Sequence, residues 1–230
     1  MKRFVILLLA LGFMLALGAA AAQAENFQAG DYVTFGHYEQ DGSMANGGES
    51  IRWLILDVDG DELLLLSEKG LETHLFNAAS DGTMWSGSAV RRWLNQEFYR
   101  AAFSEEERKA ILTTTVEDTL EHGNPEWNTG ARYGEITADK VFLLSYKEMT
   151  ELVSSANRWC EPTRHVSDQG IYTERHSDMK TCGYWLRTSA FLTNAAMVSA
   201  DGQIEPSRLH DALGVVRPAL WVRASAVGAD

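Results

Sequence analysis

Apolar and polar residues alternate from Tyr32 to Tyr38, which predicts a strand with one face turned to a core. A polar, Gly-rich stretch from Glu39 to Glu49 predicts a loop. Further strands are predicted at Ile51–Val58 and Glu62–Ser67, with Asp59-Gly60 as the hairpin turn between them. Val90, Trp93, Leu94, Phe98, Ala101 and Ala102 recur at helical spacing, and Ser86 or Ser88 is placed to cap that helix. Ser104-Glu105-Glu106-Glu107 is a capping box for a second helix reaching about Leu112. Ser145-Tyr146-Lys147-Glu148 is another, for a helix to about Val153. Val141–Leu144, Tyr184–Thr188, Ala195–Ser199 and Val215–Val222 read as short strands, and Asp201-Gly202 as a turn.

Two stretches, Glu117–Asp139 and Ser154–Gly183, show no period. Loops this long inside a compact domain are usually functional or disordered. Both contain tryptophan and arginine, which argues against plain disorder. The whole pattern predicts an α+β domain with a twisted antiparallel sheet, two or three helices and long loops over one face.

The first residues follow another logic. Lys2 and Arg3 precede an apolar run from Phe4 to Leu17, and Ala22-Gln23-Ala24 ends the segment. A basic start, a short apolar centre and an A-x-A end define a secretory signal peptide over 1–24. The apolar run is short for a membrane span, which needs about 20 residues. Cleavage after Ala24 would leave one exported domain, 25–230, with no membrane span. The expected location is secreted, periplasmic or cell-surface.

Charge then excludes partners. The chain has 20 Lys and Arg against 32 Asp and Glu, and removing Lys2 and Arg3 leaves 18 against 32, a net charge of −14. So acidic a surface repels phosphate backbones and anionic membranes, so nucleic acid is not an expected partner.

Asp57-Val58-Asp59-Gly60-Asp61-Glu62 carries calcium-loop spacing, but its flanks are strands rather than the helices an EF-hand needs, and a hairpin turn accounts for it. No G-x-S-x-G elbow, H-E-x-x-H pair or phosphate-cradling Gly loop is present. No cofactor and no metal are expected. Cys160 and Cys182 are the only cysteines, and in an oxidising compartment a disulfide is the simplest reading. With His165 and His176 between them, a tetrahedral zinc set is an alternative, and free thiols are another. Trp53, Trp93 and Trp221 sit at patterned positions and read as core. Trp127 and Trp159 sit in polar loops, where a ring either anchors its loop or offers a plane to a sugar or peptide. Arg187 and Arg217 lie in apolar strands, as structural pins or as cleft residues. Asp201 is a candidate partner for them.

Ordered words run through the chain: Gly30-Asp31-Tyr32-Val33-Thr34-Phe35-Gly36, Ile51-Arg52-Trp53, Arg92-Trp93-Leu94-Asn95, Trp159-Cys160-Glu161-Pro162-Thr163, Gly183-Tyr184-Trp185-Leu186-Arg187-Thr188-Ser189 and Gly214-Val215-Val216-Arg217-Pro218-Ala219-Leu220-Trp221. Together they resemble a bacterial domain-of-unknown-function family of secreted and surface proteins in gut Firmicutes and relatives. That family is distantly similar to the C-type-lectin-like fold, which includes the formylglycine-generating enzymes. The resemblance implies a C-type-lectin-like domain whose first strand, near Tyr32, pairs with its last, near Val216. The oxidases of that fold need a copper-binding cysteine pair late in the domain, and Cys160 and Cys182 fall elsewhere.

The expected function is non-catalytic ligand binding outside the cytoplasm, with a glycan, a peptide or a surface protein as ligand. Alternatives are an enzyme of the formylglycine-generating or hydrolytic type and a structural module of the envelope. The expected binding face gathers Trp127, Arg132, Tyr133, Trp159, Arg164 and Tyr172 near Arg187 and Asn194.

Overall fold

The computed structural model describes residues 27–77, 84–127, 136–191, 194–208 and 214–229. The 1–24 segment lies outside the described residues. The architecture is mixed α/β, rich in sheet and poor in helix. No helix among the described residues is long and apolar enough to cross a membrane.

One five-stranded sheet contains β1 (Tyr32–Tyr38), β2 (Glu49–Asp59), β3 (Glu62–Ser67), β13 (Ala219–Arg223) and β14 (Gly228–Ala229), in the order β13-β3-β2-β1-β14. The β2–β3 hairpin closes at Asp59↔Glu62 around Gly60, so the Asp-rich word there is a turn between strands. The second sheet holds β4 (Glu72–His74), β9 (Tyr184–Ala190), β10 (Asn194–Val198), β11 (Ile204–Arg208) and β12 (Gly214–Val216), in the order β11-β10-β9-β12-β4. Its pairings are antiparallel except for one parallel contact, Val215↔Tyr184.

Two sheets thus stand where one was expected, because the Val215–Val222 run is broken. Pro218 has no N–H to continue a ladder. The chain leaves the second sheet at Val216 and enters the first at Ala219. Closure of the termini also differs from expectation. β1 pairs with β14 at Val33↔Ala229 and Thr34↔Gly228, not with the strand at Val216.

Helix α1 spans 89–102, with a wide π turn over Leu94–Phe98, and Ser88 caps it by accepting from Arg91 N at 3.2 Å. Both capping boxes form, at Ser104 for α2 (Glu105–Ala110) and at Ser145 for α3 (Tyr146–Leu152). Residues 141–144 are fully buried but form no strand. Their backbone groups are taken elsewhere. Val141 O accepts from Asn95 Nδ2 at 2.8 Å, Phe142 exchanges two bonds with Ala219, and Leu143 O accepts from Arg187 Nη1 at 2.8 Å. Every buried backbone group needs a partner, and a ladder is only one way to supply it.

Both aperiodic stretches hold short elements. The first ends in β6 (Ile136–Asp139), which pairs with β5 (Thr114–Glu117), the strand that leads into the stretch. The second contains α4 (Ser155–Arg158), α5 (Arg164–Ser167) and the hairpin of β7 (Thr173–His176) with β8 (Met179–Cys182). Trp53, Trp85 and Trp185 are fully buried, and each indole N–H reaches an acceptor: Phe35 O, Asp139 Oδ2 and His74 O. Trp93 and Trp221 are only partly buried against this core.

Candidate functional site

The edge of the second sheet and the approach to β7 enclose a groove of about 410 Å³. Tyr172, Glu174, Asp201 and Glu205 line it. Met197 and the buried Val215 supply apolar surface. A volume of this size, part apolar and part polar, suits a small ligand or one side chain of a larger one.

Tyr172 is 74% exposed, and its hydroxyl donates to Glu174 Oε1 at 2.8 Å. That bond, and the charge of Glu174, push the phenol up, so it stays a donor. Asp201 is ordered by its own turn. Ser199 Oγ and Gln203 N donate to its Oδ1, and these bonds hold its carboxyl below the usual carboxylate range. Three carboxylates on the lining, with no lysine or arginine there among the described residues, make the groove negative.

Trp159 stands behind this rim. Its Nε1 donates to Asp201 O at 3.0 Å, and its ring stacks on His176 at 3.7 Å. Gly202, at φ +82°, makes room for it, since a Cβ there would lie 2.9 Å from Nε1. The ring anchors the turn and does not itself line the groove.

The other expected site residues are dispersed. Trp127 is 9% exposed and packs edge-on against Tyr146 at 5.4 Å, as the anchor of its own loop. Arg164 is exposed on α5 and pairs with Asp168 at 3.6 Å. Asn194 lies on β10 opposite Arg208 and Ala190. Arg132 and Tyr133 lie outside the described residues. Tyr172 is thus the only expected ligand residue, among those described, that lines the groove. Glu174, Met197 and Glu205 also line it and were not expected. An acid or methionine in a short strand has no distinguishing pattern, and these come from three separate strands.

The two arginines are inside the protein. Arg187 Nη2 donates to Glu148 Oε1 at 2.7 Å and Nη1 to Oε2 at 2.5 Å, with further bonds to Leu143 O and Glu117 O. Burial alone would raise the Glu148 carboxyl, but the Arg187 charge and hydrogen bonds bring it below its ordinary value. Arg217 finds no carboxylate among the described residues. It donates to Ser67 O and Asn157 O, both at 2.8 Å, and to Tyr184 Oη at 3.1 Å. Asp201 is therefore not the partner of either arginine, because its carboxylate is used within its own turn.

Cys160 and Cys182 are buried, adjacent and unbonded thiols. Cys182 N donates to Cys160 O at 2.9 Å, and a Cβ on Gly70 would lie 3.6 Å from both sulfurs. Burial opposes ionisation of Cys160, but a hydrogen bond from Cys182 and the charge of Arg217 outweigh it and pull the thiol down. The zinc alternative fails on geometry: His165 lies against Glu72 at 3.3 Å and His176 against Trp159. The one group of three potential metal ligands among the described residues is Glu39, Asp41 and Glu49. Their oxygens accept from Gly42 N, Ser43 N and Gln40 N, which shapes the 39–48 loop.

Fold and groove together describe a sheet-rich domain with a small acidic cleft at one sheet edge. The chain belongs to the family described as Domain of unknown function (DUF6273), whose model matches residues 60–224. No curated protein and no solved structure matches it.

Proposed function

We propose that this is a non-catalytic, exported ligand-binding domain, and that the Tyr172 groove is where it binds. The observation that carries the reading is the groove itself: an exposed ring, apolar Met197 and Val215, and three carboxylates on one concave surface. Ring and carboxylates suit a polar ligand with apolar faces and positive charge, carried on a glycan, a peptide or a surface-protein segment. The burial of both thiols supports binding over thiol chemistry, since a catalytic cysteine has to reach its substrate.

Export rests on the three-part segment over 1–24. In that compartment Cys160 and Cys182 join as a disulfide, and their adjacency beneath Gly70 supports this. The pairing of β1 with β14, which draws the two ends of the domain together, supports the C-type-lectin-like relationship.

The test is to apply the exported protein to glycan and peptide arrays. Binding concentrated on cationic members of either array is the expected result. No binding on both arrays would count against the reading and favour a structural role in the envelope.

A further inference from the structure

A second, smaller cleft, of about 140 Å³, lies where the start of β1, the turn after β3, α4 and β8 meet. It shares no lining residue with the Tyr172 groove. Arg217 forms part of its wall, beside Asn157, Trp159, Lys69 and Met179. Arg217 is only 4% exposed, so the cleft reaches a charge that otherwise lies inside the protein.

A guanidinium donates through Nε, Nη1 and Nη2. Here Nε donates to Ser67 O, and Nη1 donates to both Asn157 O and Tyr184 Oη. Nη2 has no hydrogen-bond partner among the described residues. It is not sealed off either. Among the described residues, the enclosed side-chain nitrogen and oxygen atoms without a partner are Thr114 Oγ1 and Asp118 Oδ1 alone. Nη2 is thus the open edge of a buried guanidinium on the wall of a cleft.

No counter-ion stands beside that edge. The two acids on the wall are engaged elsewhere, Glu68 with Arg52 at 2.5 Å and Glu161 with Lys69 at 3.7 Å. Burial pushes the Tyr184 hydroxyl up to about 12, so it stays neutral. Cys160, another acid group near Arg217, carries no charge once joined to Cys182. Carbonyl dipoles and the Tyr184 ring, 5.1 Å from Cζ, offset part of the cost of a buried charge, and an anion in the cleft would offset more.

Three kinds of anion can be compared. A phosphate or sulfate dianion wants several donors and meets Glu68 and Glu161 on the same wall. A halide has no body to place against Trp159 and Met179. A carboxylate carries one charge, forms a charge-assisted bond with Nη2, and brings an apolar chain. Asn157, whose side-chain amide makes no hydrogen bond within the described residues, adds a neutral donor to the wall. The volume suits a group of a few heavy atoms rather than a large ligand. The net negative charge of the chain acts from a distance and is screened over about 8 Å at physiological salt, whereas Nη2 acts at contact.

We infer that this cleft binds a carboxylate monoanion, which accepts from Arg217 Nη2 and lays its carbon chain against Trp159 and Met179. An acidic side chain of a peptide and a free short-chain acid share this chemistry.

The experiment is an NMR titration of the exported protein, with its two cysteines joined by oxidised glutathione, that reads the Trp159 indole and Arg217 guanidinium N–H resonances. The probes are Nα-acetyl-glutamate methylamide, propionate, inorganic phosphate, and Nα-acetyl-glutamine methylamide as the uncharged analogue. Binding of the glutamate derivative assigns a peptide source, and binding of propionate alone assigns a free acid. Arg217→Gln should weaken the bound probe by about tenfold or more. Ala156→Trp, at an exposed position of α4, should abolish binding by filling the cleft, and it carries the test if Arg217→Gln fails to fold. Lys109→Gln removes an exposed cation outside the cleft and should leave the affinity unchanged. Failure of both carboxylates to bind, equal binding of the glutamine analogue, tighter binding of phosphate, full affinity in Ala156→Trp, an equal loss in Lys109→Gln, or cysteines that stay free under the oxidant would overturn the inference.

Discussion

The indole of Trp159 donates to the backbone carbonyl of Asp201 at 3.0 Å, and so ties the segment between α4 and α5 to the rim of the Tyr172 groove. The two residues are 42 positions apart. The contact depends on Gly202, whose backbone lies in the left-handed region with the indole directly above its α-carbon. Gly202→Ala should therefore destabilise the protein by about 1–3 kcal/mol, from strain and overpacking together. Thermal unfolding measures this, and an unchanged melting temperature would show that the turn does not bear on the indole.

Cys160 and Cys182 should be joined in the exported protein. The loop they close is 23 residues long, and closing it stabilises by about 3 kcal/mol in the chain-entropy model. Alkylation under denaturing conditions, followed by mass spectrometry, should label neither cysteine until a reductant is added. Two labelled thiols in unreduced exported protein would contradict the pairing.

Arg217 joins the end of β3 to residues of α4 and β9 through Ser67 O, Asn157 O and Tyr184 Oη. Arg217→Ala strands buried carbonyls and should cost about 3–5 kcal/mol. Arg217→Lys should recover little, since one ammonium does not reproduce the planar fork. Denaturant unfolding of both variants checks this, and near-native stability of the lysine variant would show that charge alone suffices there.

Asp118 is buried, and its Oδ1 meets no hydrogen-bond partner among the described residues. Burial pushes its carboxyl from the ordinary 3.8 up to about 6, against hydrogen bonds from Trp85 N and Ser189 and the charge of Arg187. The folded state therefore holds this proton more tightly than the unfolded state. Its contribution is fully present below pH 3.8 and is lost as pH rises through about 6. The loss is on the order of 3 kcal/mol. Asp118→Asn, which cannot ionise, should flatten the fall in stability between pH 4 and pH 7 relative to wild type. An unchanged pH profile would contradict the assignment.

What the chain discloses in one dimension is its local chemistry. Ser104 with Glu107 and Ser145 with Glu148 are legible as capping boxes because each device lies within four residues. The Asp59-Gly60 hairpin is legible for the same reason. The 141–144 run was misleading because apolar content reports burial, and Asn95, Ala219 and Arg187 decide where its backbone bonds go. Arg187 showed itself as a charge in an apolar strand, while its partner Glu148, 39 residues away, was visible only as a helix-capping residue. Glu72 and His165 are 93 residues apart, and nothing local to either marks the other. The Tyr172 groove has the same character, since its acids come from β7, a turn and β11.

The central claim is that the groove beside Tyr172 binds a ligand, and one comparison tests it most directly. Tyr172 is 74% exposed, so Tyr172→Ala should leave the melting temperature within about a degree of wild type. The affinity of the two proteins for the strongest array ligand is then measured side by side. The account predicts a loss of about tenfold or more in Tyr172→Ala, with a similar loss in Glu205→Gln. Full affinity in both variants would place the binding surface elsewhere and contradict the account.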